Sequence, residues 1–348
     1  MELQKRFNYF IKEKNLFTAG QKVLLAVSGG VDSVVMAELF YRSGFNVGIA
    51  HVNFQLRGKD SDADQQFVQK LAGRYGVPFF SIRMETEQEA VKQKLSIQET
   101  ARNLRYDWFA SVLKNEKYDR VATAHHLNDS IETFFINLMR GTGVSGLRGI
   151  LPLNENSGII RPLLFARKTE LEQFARREKI RFKKDASNES DDYLRNRIRH
   201  HLVPVFMELN PGFEKIMERN MSNLAFGESI VTGKVGEMLQ GFGNVVPNAG
   251  LKMSRKMLTE SGFPREMLMS IVQRYGFNSA QVDDIWQAKA SGKQVFSDGY
   301  VLTADRGNII LTENQSPQAP QSIKVRSEEH TSELQSHSDL VCRLLLEK

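Results

Sequence analysis

The residues Ser28-Gly29-Gly30-Val31-Asp32-Ser33 have the types and order that an anion-binding turn requires. Two adjacent glycines let the main chain approach a phosphate closely and adopt φ > 0. Ser28 and Ser33 add hydroxyl donors. Asp32 would repel a bare phosphate, so the set makes sense with a Mg²⁺ between its carboxylate and the phosphate oxygens. A glycine pair after a strand is by itself only a turn, but the order Ser-Gly-Gly-x-Asp-Ser is far more specific. It is not a Walker A loop, because no Gly-Lys-Ser/Thr closes it.

Two further groups carry chemistry. In Ala124-His125-His126-Leu127-Asn128-Asp129-Ser130-Ile131-Glu132, Asp129 and Glu132 are three apart and share one face of a helix. An isolated acidic pair at a helix N-terminus is usually a dipole partner. Beside a nucleotide it can also hold a second cation or a cationic amine. His125 and His126 do not make a metal pair, since neighbours at a strand end point opposite ways. Arg102 and Arg105 are likewise three apart on a helix. They read either as surface charges paired with Glu99 or as stabilisers of phosphate and developing negative charge.

The elements that must position these groups alternate. Val23-Leu24-Leu25-Ala26-Val27 is an apolar run of the buried parallel-strand type, and Val34 to Phe40 begins a helix, so the glycine turn lies at a helix N-terminus. Further strands are expected at 47–51, 78–83 and 119–124, with helices at 7–17, 60–75, 96–117 and 128–140. Ser96 and Glu99 form a capping box at the start of the long helix. Alternation of this kind predicts a doubly wound parallel sheet, with ligands at the carboxyl ends of the strands. His51, the glycine turn and His125-His126 all fall at such ends. Residues 141–147 read as a glycine-rich loop, and 167–179 and 192–207 as helices, with Pro204 kinking or ending the latter. Beyond Pro211 a smaller, mainly helical α+β domain is expected, with a long helix at 212–240, a helical cluster at 254–290 and short antiparallel strands near 294–311.

At 348 residues two domains are expected, divided as 1–210 and 211–326. There is no run of eighteen apolar residues and no apolar signal core, so no membrane partner is expected and the location reads as cytoplasmic. A single cysteine, Cys342, excludes a disulfide framework and a cysteine-based zinc site. Residues 327–348 look like translated sequencing-adapter read-through, in place of a native C-terminal domain. They carry two basic and five acidic residues, so the rest of the chain, against a total of +6, is at about +9. Twelve Lys/Arg against seven Asp/Glu fall in 161–201. Charge alone there describes a solvated face, but next to a nucleotide turn it favours RNA contact.

Ser28–Ser33 resembles the pyrophosphate loop of the N-type ATP pyrophosphatases, an adenine nucleotide alpha hydrolase-like fold. Six further stretches, in this order, extend the likeness over about residues 20–312. They are Ala50-His51-Val52-Asn53 with Leu56-Arg57-Gly58; Gln98-Glu99-x-Ala101-Arg102-x-x-Arg105-Tyr106; Ala124-His125-His126-x-x-Asp129-x-x-Glu132; Arg140-Gly141-Thr142-Gly143; Arg161-Pro162-Leu163-Leu164; and Asp185-x-Ser187-Asn188 with Arg195-Asn196-x-Ile198-Arg199. Together they resemble the tRNA(Ile)-lysidine synthetase family. That resemblance implies ATP-dependent adenylation of C2 of the wobble cytidine in an isoleucine tRNA with a CAU anticodon. Attack by the lysine amine then gives lysidine, AMP and pyrophosphate, and codon reading changes from AUG to AUA. By the same resemblance Ser28, Gly29, Gly30, Val31, Asp32, Ser33 and His51 bind ATP, and Asp32 holds Mg²⁺. Asp129 and Glu132 recognise L-lysine, and Arg102 and Arg105 lie at the reaction centre. Arg161, Lys183, Lys184, Arg195, Arg197 and Arg199 face tRNA. Phe54 stands where many members have histidine. The oligomeric state is left open, a homodimer included.

Three alternatives remain in view. A tRNA thiolase of the same fold needs cysteines for its sulfur chemistry, which one suspect cysteine does not supply. Ammonia-using NAD synthetases share the loop, but the basic 161–201 region disfavours a free small-molecule substrate. A non-catalytic nucleotide-dependent RNA-binding module would not need Asp32, Asp129 and Glu132.

Overall fold

A computed structural model of the chain describes residues 2–56, 58–183, 194–241 and 250–314. Arg57, Lys184, the Asp185-x-Ser187-Asn188 motif and the 327–348 tail with Cys342 lie outside the described residues. The chain divides into two compact units, Met1–Ala225 and Phe226–Lys348.

The first unit runs α1 (Glu2–Glu13), β1 (Val23–Ala26), α2 (Val31–Arg42), β2 (Val47–Asn53), α3 (Lys59–Tyr75), β3 (Phe79–Arg83), α4 (Thr86–Gln93), α5 (Ile97–Glu116), β4 (Arg120–Ala122) and α6 (Leu127–Met139). It continues with α7 (Val144–Leu147), β5 (Leu153–Asn154), β6 (Ile159–Ile160), α8 (Lys168–Arg177), α9 (Leu194–Arg197), a π-helical turn (Ile198–Leu202), α10 (Val203–Leu209) and α11 (Phe213–Gly241), within which the division falls. The sheet order is β3-β2-β1-β4-β6-β5. Five strands are parallel, and β5 runs antiparallel on the edge. β1 pairs with β2 on one side, Val23 opposite Val47, and with β4 on the other, Val23 opposite Arg120. The strand order therefore reverses at β1/β4, and the loops leaving these two strands border the switch-point crevice.

The sheet is buried on both faces, as its apolar runs require. Val23, Leu25 and Val27 join a core with Phe7, Phe40, Leu171 and Phe174 from α1, α2 and α8. The alternate residue Leu24 packs with Phe109 and Val112 of α5. Leu24 and Leu25 are wholly enclosed, each contributing roughly 1.5–3 kcal/mol by burial. A third cluster seats α6 against the start of α11, with Phe135, Phe206 and Phe213 stacked at 5.4 and 4.8 Å between successive partners of Phe206.

Several local expectations are corrected. The first helix spans 2–13, and Leu16 is buried beyond its end. β5, β6 and α4 were not expected; two-residue strands are too short to show a period. Residues 144–147 form a helical turn rather than open loop. Pro204 does not end its helix: it occupies the first turn of α10 directly after the π turn, where a missing N–H and a fixed φ are tolerated.

In the second unit β7 (Leu251–Ser254), α12 (Arg255–Glu260), α13 (Pro264–Val272), α14 (Ser279–Trp286), β8 (Gln294–Ser297), β9 (Tyr300–Asp305) and β10 (Asn308–Glu313) form an antiparallel sheet, β7-β10-β9-β8, with three helices. Met253, Leu268, Ile271, Val282, Ile285, Leu302 and Ile309 fill its core. Among the described residues no helix is long and apolar enough to cross a membrane.

Candidate active site

Two hydroxyls hold the turn after β1: Ser28 Oγ accepts from the Gly30 amide at 3.3 Å and lies 3.1 Å from Ser33 Oγ. Ser33 Oγ accepts from the amides of Ser28 (3.2 Å) and Gly29 (3.3 Å) and donates to the Gly30 carbonyl (2.9 Å). Gly29 has φ +101°, which a side chain rarely adopts, and a Cβ there would meet Phe67 and Val68. Gly30 is the N-cap of α2 and has no side chain to cap it, so the first amides of the helix are left for an anion. His51 lies beneath the turn, 3% exposed, with Nδ1–H donating to the Val27 carbonyl at 2.9 Å. That bond fixes its tautomer, and burial pushes its pKa below the usual histidine value. Phe54 follows β2, and its carbonyl accepts from Thr86 Oγ1 at 3.2 Å.

Asp32, on the first turn of α2, faces the loop after β4. Its Oδ2 is 2.6 Å from Lys168 Nζ and 3.9 Å from His126 Nε2. Its Oδ1 is buried with no partner, an orphan carboxylate oxygen at a phosphate-type loop, which fits a hard cation. His126 begins α6. Its amide donates to Asp129 Oδ2 at 2.9 Å, and its Nε2 is 3.4 Å from the same oxygen.

Glu132, one turn on and 1% exposed, is clasped by Arg199, whose Nε and Nη2 donate at 2.7 and 3.0 Å. Arg195 Nε adds a contact at 3.5 Å. Burial pushes the Glu132 carboxyl above its ordinary value despite Arg199. Burial also opposes the Arg199 charge, but Glu132, Asp129 and Asp32 outweigh it and hold the guanidinium above its usual range. Asp129 is lowered: the fields of the two histidines and the His126 amide outweigh its burial.

His125 turns the other way, its Nδ1 2.9 Å from Thr123 Oγ1. Burial lowers its pKa strongly. Asp129 opposes this, while Arg161, Arg105 and Arg195 add to it. Arg102 and Arg105 lie with their guanidinium carbons 5.2 and 5.3 Å from the Tyr106 ring centre. Neither pairs with Glu99 among the described residues.

The basic residues of 161–201 diverge. Arg161, Arg195 and Arg199 turn inward, and Arg197 is exposed. Lys183 is exposed, but its amide donates to the Gly29 carbonyl at 2.9 Å, beside the phosphate turn. Lys168 was missed from the sequence. Its signal was a lysine at the first position of a helix, where the dipole disfavours positive charge. No group of three His, Cys, Asp or Glu suited to a metal occurs among the described residues.

Residues 1–206 match the PP-loop domain, so fold and site define an ATP-using PP-loop protein. Residues 248–314 match the TilS substrate binding domain. The chain is 36% identical over 314 residues to tRNA(Ile)-lysidine synthase of Porphyromonas gingivalis strain W83, covering 89% of this chain and 68% of that one. It is 33% identical to the enzyme of the same name from Bacteroides thetaiotaomicron, covering 91% and 73%. The chain belongs to the tRNA(Ile)-lysidine synthase family. In fold it is also similar to the U34-tRNA thiolase NcsA from Methanococcus maripaludis, with a TM-score of 0.52 at 21% identity over 64% of this chain and 78% of that one.

Proposed function

We propose that this chain converts the wobble cytidine of a CAU-anticodon isoleucine tRNA to lysidine, with ATP and L-lysine as co-substrates, in the cytoplasm. The observation that supports it best is the convergence of Asp32, Asp129 and Glu132 on one switch-point crevice beside a phosphate-type turn. The Ser28–Ser33 amides and hydroxyls bind the triphosphate, and His51 supports the turn from below. Asp32 Oδ1 would hold Mg²⁺, which supplies neutralisation of the departing pyrophosphate. Asp129 and Glu132 receive the substrate ammonium in exchange for part of the Arg199 contact. Residues 1–210 carry the chemistry and 211–326 hold tRNA, aided by exposed Lys183 and Arg197. The inward Arg161 is available to the reaction centre instead. A thiolase reading finds no support in the site, where no cysteine lies among the described residues.

The test is incubation of the chain with ATP, Mg²⁺, lysine and the isoleucine tRNA, followed by nucleoside mass analysis. A lysine-sized adduct on cytidine is expected, and it disappears in Asp32→Ala. An adduct that persists in that variant would remove Asp32 from the reaction.

A further inference from the structure

Glu214, in the first turn of α11, is 8% exposed. Its Oε1 accepts from Asn128 Nδ2 at 2.5 Å, and Arg167 Nε lies 3.4 Å from its Oε2. Asn128 is the second residue of α6, next to Asp129. Its Oδ1 accepts from the Lys168 amide at 2.9 Å, and the Lys168 side chain reaches Asp32 Oδ2 at 2.6 Å. The partners of Asn128 fix which way its amide faces, because a carboxylate only accepts and a backbone N–H only donates. Lys168 is the first residue of α8, so its amide is one that a helix N-terminus leaves unpaired, and Asn128 caps α8 from outside it. Backbone contacts lace the same segments together. Leu127 N–H donates to the Ala166 carbonyl at 2.9 Å, and His126 bridges Leu163 in parallel. The starts of α6, α8 and α11 thus meet at one side chain, Asn128.

Asp32 is where this arrangement ends. Its Oδ2 is held by Lys168, and its Oδ1 is buried without a partner. Lys168 therefore turns the carboxylate so that one oxygen is left for a cation. A lysine stem is flexible, and its ammonium keeps such a position only where its backbone is fixed. The Glu214–Asn128 pair fixes it. Resting on the reading of Asp32 as the cation site, we propose that Glu214, acting through Asn128, is a positioning residue for adenylation. It sets the start of α8, and Lys168 in turn orients Asp32 toward the cation. Groups that orient a metal's ligand without touching the metal change affinity or activity by about 10–100-fold when they are lost.

The experiment uses the full chain. Electron paramagnetic resonance follows Mn²⁺ binding in the presence of a non-cleavable α,β-methylene ATP. Nucleoside mass analysis gives kcat and KM for tRNA modification, and melting temperature reports folding. Asn128→Asp keeps an acceptor for the Lys168 amide but sets a second carboxylate against Glu214. It should weaken Mn²⁺ binding and lower kcat, each by about 10–100-fold, with KM for tRNA unchanged. Adding Glu214→Gln to Asn128→Asp places a donor opposite the new acceptor and should recover most of both losses. A double variant no better than Asn128→Asp overturns the proposal. A lower melting temperature with Mn²⁺ affinity and kcat unchanged also overturns it and leaves Glu214 a structural clasp. In a Lys168→Ala background Asn128→Asp should cause no further loss, since residues that act as a unit are not additive; a further loss of full size overturns the route through Lys168. Asp32→Ala separates the two readings. If it binds Mn²⁺ as tightly as wild type, Asp32 is not the cation site and the relay falls with it. If it loses the ion while Asn128→Asp keeps it, the cation site stands and the relay alone fails.

Discussion

Glu132 and Arg105 are both ionisable groups largely withdrawn from solvent, yet their surroundings are opposite. Glu132 is met by two hydrogen bonds from Arg199 and a contact from Arg195. Arg105 meets a phenol and another arginine. The acidic side is internally compensated, so it holds its shape without a ligand. The basic side is left short of negative charge, the condition in which a bound anion gains most. Stability is invested in one side and binding capacity in the other.

The largest effect expected is on turnover. Asp32→Ala removes the orphan oxygen and the Lys168 partner together, and should lower ATP-dependent pyrophosphate release by roughly 10²–10³-fold, as loss of a charge-stabilising group does. Rate measurements at saturating ATP check this.

Next is the contrast in stability. Glu132→Gln removes the carboxylate that Arg199 clasps, while Asp129 stays near Arg199 and Thr133 stays bonded to Arg195, and should cost about 1–3 kcal/mol, as loss of a charged hydrogen-bond partner does. Arg105→Gln relieves repulsion and should cost less than about 1 kcal/mol. Urea denaturation of the two variants decides it, and equal losses would dissolve the distinction between the sides.

His125, which feels Asp129 on one hand and Arg161, Arg105 and Arg195 on the other, predicts a pH dependence. Its folded-state pKa lies below the unfolded value of about 6.5. The unfolded chain therefore binds the proton first, and stability is full above pH ~6.5 and falls as pH drops below it. His51 acts in the same direction, whereas the raised Glu132 acts oppositely in the carboxylate range. Subtracting His125→Gln from wild type isolates one proton, a slope difference approaching about 1.4 kcal/mol per pH unit. Identical slopes would mean His125 titrates normally.

The smallest effect concerns the helix that presents the arginines. Ser96 Oγ accepts from the Glu99 amide at 3.2 Å, and Ser96→Ala should cost about 1 kcal/mol, read as a lower melting temperature.

The sequence by itself determined the alternation of strands and helices, the glycine turn at a helix start and the shared face of Asp129 and Glu132. Each depends on neighbours within a few residues, through period, cap chemistry or backbone freedom. Ser96 as an N-cap was legible for that reason, and Gly29 for its positive φ. The partners of those residues were not legible. Lys168 reaches Asp32 across 136 positions, and Arg199 reaches Glu132 across 67. In the sequence Arg161, Arg195 and Arg199 read as an outward basic surface with Arg197. Only the packing of α9 and the π turn against α6, and the end of β6 beside α5, turned those three inward. Charge can be counted along a chain, but its direction is set by which elements the sheet order brings together.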